Sequence, residues 1–255
     1  MNYPNMFAEL LSGLLVSVEI FVLTLVFALP LGLLVALGRM SKFGIVRNVF
    51  RVYISVMRGT PLMLQLLVCF FGPYYFFHIS LPSGYRFIAV IIAFSLNYAA
   101  YFAEIYRGGI ESMAVGQYEA ARVLGYSAPQ TFFKIILPQV IKRIIPPVTN
   151  EVITLVKDTS LAFSLSVLEM FTIAKQISSA HTTMVPFVVA GVFYYIFNFV
   201  VATGMGRLFR SSVLPVPENR LCSVARPCLK PRIPERFHTK ISVFSTMGNM
   251  RENRF

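Results

Sequence analysis

Tyr118-Glu119-Ala120-Ala121-Arg122-Val123-Leu124-Gly125-Tyr126-Ser127-Ala128-Pro129-Gln130, continuing through Ile135 and Leu137 to Pro138, is the stretch whose reading decides the architecture of this chain. Tyr118 to Leu124 suits a short helix, and Gly125 can take the left-handed conformation that ends it and reverses the chain. Ser127 followed by Gln130, with Pro129 in the permissive first turn, has the form of a capping box. A second helix is therefore expected from about Ala128 until Pro138 stops it. The product is a compact helix-turn-helix in which Ala120 and Ala121 are small enough for another surface to approach closely.

Long apolar runs lie on both sides of this unit. A hydrocarbon core ~30 Å thick needs about 20 mainly apolar helical residues to cross it. Segments at about 10–37, 60–77, 87–106, 147–172 and 185–207 qualify, which predicts an all-α transmembrane protein of five spans. The clearest is Phe87 to Ala103, uncharged throughout, and the first carries Glu19 as its one charge. The second opens with Thr60-Pro61, where Thr60 can cap and Pro61 can take the first helical position. In the fourth, Lys157-Asp158-Thr159-Ser160 interrupts the run before apolar character resumes at Leu161. The helix-turn-helix thus occupies a loop over 112–146, too long and too patterned for a plain connector.

Overall, 56% of the 255 residues are apolar and 13% charged, more apolar surface than a soluble core of this length can hide. The net charge of +12 is distributed between apolar runs and in the tail, a pattern of membrane topology that needs no nucleic acid. Arg39, Lys42, Arg47, Arg51 and Arg58 fall between the first two spans, and Arg107, Arg122, Lys134, Lys142 and Arg143 between the third and fourth. The other side has Arg86 and Lys175. Cations are retained on the cytoplasmic side, so the N-terminus is expected outside and the C-terminus and the 112–146 loop inside. Beyond Arg210, Pro215, Pro217, Pro227, Pro231 and Pro234 alternate with basic residues, which predicts a disordered cytoplasmic tail over 211–255. Deleting Ser211 to Phe255 should leave insertion and transport nearly intact; a truncated chain that inserts but has lost most uptake would contradict this.

Ionisable and polar groups inside spans are costly and mark function by default. Asn97, Tyr101 and Glu104 share one face of the third span, which either lines a translocation path or makes interhelical hydrogen bonds. Glu151, Thr154 and Asp158 share a face of the fourth. Irregular backbone at membrane depth survives where it is buried or lines a cavity, so the break beside them favours a path. Glu151 can then meet a substrate ammonium group, and Lys157 can pair with Asp158 or Glu151. Glu19 reads as a packing or gating residue, and Tyr74-Tyr75-Phe76-Phe77 as an interfacial aromatic belt. His78, His181 and His238 lack ligand spacing, so no metal is expected, and Cys69, Cys222 and Cys228 read as free thiols. No phosphate-cradling Gly-rich loop and no nucleophile or zinc motif is present. That argues against an intramembrane enzyme using Glu151 and Asp158 as acid and base.

Glu119-Ala120-Ala121, Gly125 four residues on, and Ile135-x-Leu137-Pro138 resemble the signature loop of binding-protein-dependent ABC importer permeases. Arg58-Gly59-Thr60-Pro61-Leu62, the stretch Ala100 to Ile110, and Leu155 to Leu161 look like the polar amino acid branch, the histidine, glutamine and arginine type. The resemblance covers about Leu10 to Arg210. It implies a type I permease core whose 112–146 loop is the coupling region, with Glu119, Ala120, Ala121, Gly125, Ile135, Leu137 and Pro138 gripped by a cytoplasmic ATPase subunit. It also implies a second permease subunit, identical or related, a periplasmic or surface binding protein, and a bacterial inner membrane. ATP and Mg would sit on the ATPase subunit, with no cofactor on this chain. Within the superfamily, an inorganic anion or a peptide is the alternative cargo.

Overall fold

A computed structural model of the chain describes residues 3–78, 82 and 84–213. Its elements are α1 (Tyr3–Arg39), α2 (Gly44–Gly59), α3 (Leu62–Phe77), α4 (Tyr85–Glu111), α5 (Val115–Val123), α6 (Ala128–Thr131), a π turn (Phe132–Ile136), α7 (Leu137–Asp158), a 3-10 turn (Thr159–Leu165), α8 (Met170–His181) and α9 (Val185–Val213). The tail expected over 211–255 falls outside the described residues apart from the end of α9.

Among the described residues, three helices are long and apolar enough to cross a membrane alone: Pro4–Arg39, Tyr85–Glu111 and Val185–Arg207. The other two expected crossings are built differently. Helices α2 and α3 meet at a bend of 112° and make at most one further span together. The expected span at 147–172 is not one helix: α7 ends at Asp158, the chain tightens into the 3-10 turn, Ser166 turns left-handed at φ 55°, and α8 starts at Met170.

Apolar side chains gain nothing by leaving lipid for one another, so close packing of small residues must hold such helices together. Accordingly Ala28, Gly32 and Ala36 of α1 meet an α4 in which Ala89, Ala93, Ala99, Ala100 and Ala103 are buried. At Gly32 a Cβ would stand 2.8 Å from the Cβ of Phe102. At Gly13 one would stand 2.8 Å from the backbone of Met170, so α1 touches the start of α8 through bare backbone.

The α2–α3 corner departs from the expected capping. Pro61 occupies the N-cap position and no side chain caps α3. The Thr60 hydroxyl instead turns back and donates to the Val56 carbonyl at 2.8 Å. The corner is pinned by two amides: Gln65 Nε2 donates to the Met57 carbonyl at 2.9 Å, and Asn97 Nδ2 donates to the same carbonyl at 3.1 Å and to Gln65 Oε1 at 2.9 Å. A carboxamide can serve donor and acceptor at once, which suits it to a bend where helical carbonyls lose their partners.

Candidate translocation face and coupling loop

Helix α5 ends as its sequence dictates. Gly125 has φ +80°, its N–H donates to the Arg122 carbonyl at 2.9 Å, and the Tyr126 N–H donates to the Ala121 carbonyl at 3.0 Å. Those two bonds around a left-handed glycine are the Schellman arrangement. Ser127 and Gln130 then form the capping box, with the Ser127 N–H donating to Gln130 Oε1 at 3.0 Å. The helix that follows does not stop at Pro138. A π turn over Phe132–Ile136 widens the backbone, the Leu137 N–H bonds to the Phe132 carbonyl, and Pro138 enters α7 in its first turn, where its missing N–H costs least.

The loop is packed onto α7 rather than loose. Met113, Ile136 and Val140 form a small core with Tyr118, Phe132 and Ile135 against them. Gln117 Nε2 donates to Gln139 Oε1 at 3.0 Å, and an Arg143 Nη donates to the Ser112 carbonyl at 2.6 Å. Glu119, Ala120 and Pro138 are exposed, Leu137 is half-buried, and Ala121 is buried beneath the turn. Around them Val123 is 88% exposed, Leu124 72% and Phe133 65%, an apolar surface at the tip of the loop.

The face predicted on α4 serves three ends. Asn97 is buried and spent on the α2–α3 corner. Tyr101 lies under the Arg58 guanidinium, 5.3 Å from its ring centroid. Glu104 is held by Arg107, which also pairs with Glu111.

On α7, Glu151 and Asp158 are half-buried, while Asn150, Thr154 and Lys157 are exposed, the Thr154 hydroxyl donating to the Asn150 carbonyl at 3.0 Å. Among the described residues Lys157 pairs with neither carboxylate; the ion pairs there are those of Arg107. The partner of Asp158 is Tyr98, whose hydroxyl donates to it at 2.7 Å from the core of α4. Helix α7 packs against α4 and α9, both long enough to span, so its uncovered polar face cannot be left to lipid. Such a face needs water or a second protein surface opposite it.

Three groups escaped sequence reasoning. Tyr98 lies within an aromatic run, and nothing local marks its hydroxyl as bound to a residue sixty positions away. Glu169 is fully buried as the N-cap of α8, accepting from the Phe171 and Thr172 N–H groups at 2.7 Å each and from the Tyr194 hydroxyl at 3.0 Å. An acid just ahead of an apolar helical run was the available signal. Helix α2 was legible too, since Arg47, Arg51 and Arg58 fall on one side while Ile45, Val49, Val52 and Val56 form an exposed apolar stripe.

Comparison with known proteins agrees with this architecture. The family described as "Binding-protein-dependent transport system inner membrane component" matches residues 28–212. The L-cystine transport system permease protein TcyB of Bacillus subtilis (strain 168) is 39% identical over 194 residues, 74% of this chain and 80% of that protein. The arginine transport system permease protein ArtQ of the same organism is 35% identical over 193 residues, 73% of this chain and 84% of its own. Among solved structures, a chain of an amino acid ABC transporter crystallised with histidines superposes with a TM-score of 0.75 at 30% identity, covering 82% of this chain and 96% of that one. A chain of the methionine transporter MetNI in an inward-facing conformation shares the fold at a TM-score of 0.66 and 18% identity, over 83% of this chain and 99% of its own. With a matched segment that takes in α4, the loop, α7 and α9, this chain belongs to the family of binding-protein-dependent transport system inner membrane components.

Proposed function

We propose that this chain is the permease subunit of an ATP-driven amino acid importer, seated in a bacterial inner membrane with its N-terminus outside and its C-terminus in the cytoplasm. It forms the translocation pathway with a second permease subunit, receives substrate from a periplasmic or surface binding protein, and is driven by an ATPase subunit that carries ATP and Mg. The observation that carries this reading is the α7 face, where Glu151 and Asp158 stand beside exposed Asn150, Thr154 and Lys157 on a helix continuous with the loop. Support also comes from relatives named as permeases for cystine, arginine and glutamine. Carboxylates there suit a substrate bearing an ammonium group and disfavour an inorganic anion. Residues Glu119 to Pro138 are the surface the ATPase grips, through the exposed apolar tip and Glu119. Closure of the ATPase dimer then tilts α7 and exposes the face to one side of the membrane at a time.

Glu151→Gln keeps the shape of the side chain and removes its charge. Uptake of cationic amino acids should fall about tenfold, the scale of one charged hydrogen bond, while the complex still assembles. Uptake unchanged across a panel of cationic and neutral amino acids would remove Glu151 from the pathway.

A further inference from the structure

An amino acid is a zwitterion, and the Glu151 and Asp158 carboxylates of α7 answer only its ammonium end. Resting on the importer reading above, we propose that Arg58 is the residue that recognises the substrate carboxylate. It occupies the last turn of α2, beside the 112° bend into α3, and is exposed. Its position is fixed from both sides. The carbonyl of Met57, one residue earlier, is gripped by Gln65 and Asn97, and the guanidinium lies over the ring of Tyr101. Tyr101 is one turn from Glu104 and one turn from Asn97 on the same face of α4.

Arg58 is also free to serve. No Asp or Glu occurs between Glu19 and Glu104, so neither α2 nor α3 offers it a local counter-ion. Among the described residues it makes no ion pair, whereas Arg107 is occupied by Glu104 and Glu111. Its platform Tyr101 stands one turn from Glu104 on α4, which sets the guanidinium on the side of α4 that bears that carboxylate. Lys157, the other exposed cation nearby, has no aromatic platform or pinned backbone corner of this kind among the described residues. A planar guanidinium held over a phenol ring presents its donors in a fork that matches a carboxylate, a geometry a free ammonium cannot hold. Substrate would then lie with its ammonium group toward Glu151 and its carboxylate toward Arg58, spanning α7 and the α2–α3 corner.

The test uses the assembled permease–ATPase complex in lipid nanodiscs, without binding protein, so that preference reports the pathway alone. Labelled L-arginine, L-histidine and L-cystine are each compared with the amine lacking the carboxylate: agmatine, histamine and cystamine. Wild type should favour the amino acid, and Arg58→Gln should cut that preference about tenfold or more by weakening the amino acid while leaving the amine roughly unchanged. Arg58→Lys should retain part of the preference, and Arg47→Gln, in the first turn of α2, should leave it in place. If Arg58→Gln assembles and keeps the wild-type ratio, or if Arg47→Gln abolishes it instead, the proposal is overturned while the importer reading stands. A wild-type complex that binds none of these three, nor any other amino acid of a full panel that includes glutamine, overturns both.

Discussion

Gly125→Val is expected to yield a permease that inserts normally and imports almost nothing. A Cβ at Gly125 would meet no atom within 4 Å, so the substitution creates no clash. The whole effect comes from the backbone, because φ is +80° and a β-branched residue resists that region by ~1–2 kcal/mol or more. Relieving that strain breaks the two bonds that close α5 onto Ala121 and Arg122 and swings the helix bearing Glu119 away from α6. Helix α5 is short and mostly uncovered, so the cost is met there and not in the spanning helices. Under the proposed docking, ATP hydrolysis then proceeds without transport, or the ATPase subunit fails to copurify. Gly125→Asn, which tolerates a left-handed backbone, should retain most uptake, and Glu119→Lys should give a milder defect than valine. Uptake, copurification and ATP hydrolysis measured on the same reconstituted variant decide the matter. Normal coupled transport by Gly125→Val would end the assignment of this loop.

Gly13→Val should be the most damaging substitution in the body of the protein. Its Cβ would stand 2.8 Å from the Met170 Cα and 2.9 Å from the Met170 nitrogen, atoms that cannot rotate aside. The same contact brings the Met170 N–H to the Ser17 hydroxyl at 3.5 Å and lies next to buried Glu169. Separating α1 from α8 there costs about 1–3 kcal/mol as overpacking, and it loosens the acid that joins α8 to Tyr194 of α9. The purified variant should unfold several degrees below wild type, with Gly13→Ala intermediate. Gly191→Val on α9, where a Cβ meets nothing within 4 Å, is the matched control and should behave as wild type. Equal melting of Gly13→Val and Gly191→Val would contradict this account of the α1–α8 crossing.

The features legible in the sequence are those decided within a few residues. Gly125 and the Ser127–Gln130 box are local chemistry, and the structure reproduces both. Apolar runs marked α1, α4 and α9 because length and hydropathy suffice for a straight crossing. Failures came where a distant partner overruled a local preference. Thr60 has the makings of a cap, yet its hydroxyl closes the end of α2, because Asn97 and Gln65 force the bend at that point. Pro138 is a helix stop by local rules, but the π turn before it absorbs the mismatch. Asp158 and Lys157 adjoin in sequence and invite a pairing, while packing of α4 on α7 delivers Tyr98 to the carboxylate instead. Of the two readings the sequence left open for the α4 face, Asn97 takes the interhelical hydrogen bond, while on α7 Asn150, Thr154 and Lys157 share an exposed face beside half-buried Glu151 and Asp158.

Backbone from Ala128 through the π turn to Asp158 is helical without interruption. At 1.5 Å per residue the stretch is about 45 Å long, with the proposed ATPase grip at its foot and Glu151 and Asp158 near its head. Under the proposed docking such a member acts as a lever whose fulcrum is set by where α4 and α9 pack on it. Slack along it has two seats: the π turn, five residues whose looser winding can stretch or tighten, and Pro146-Pro147 inside α7, which remove two backbone donors from the ladder.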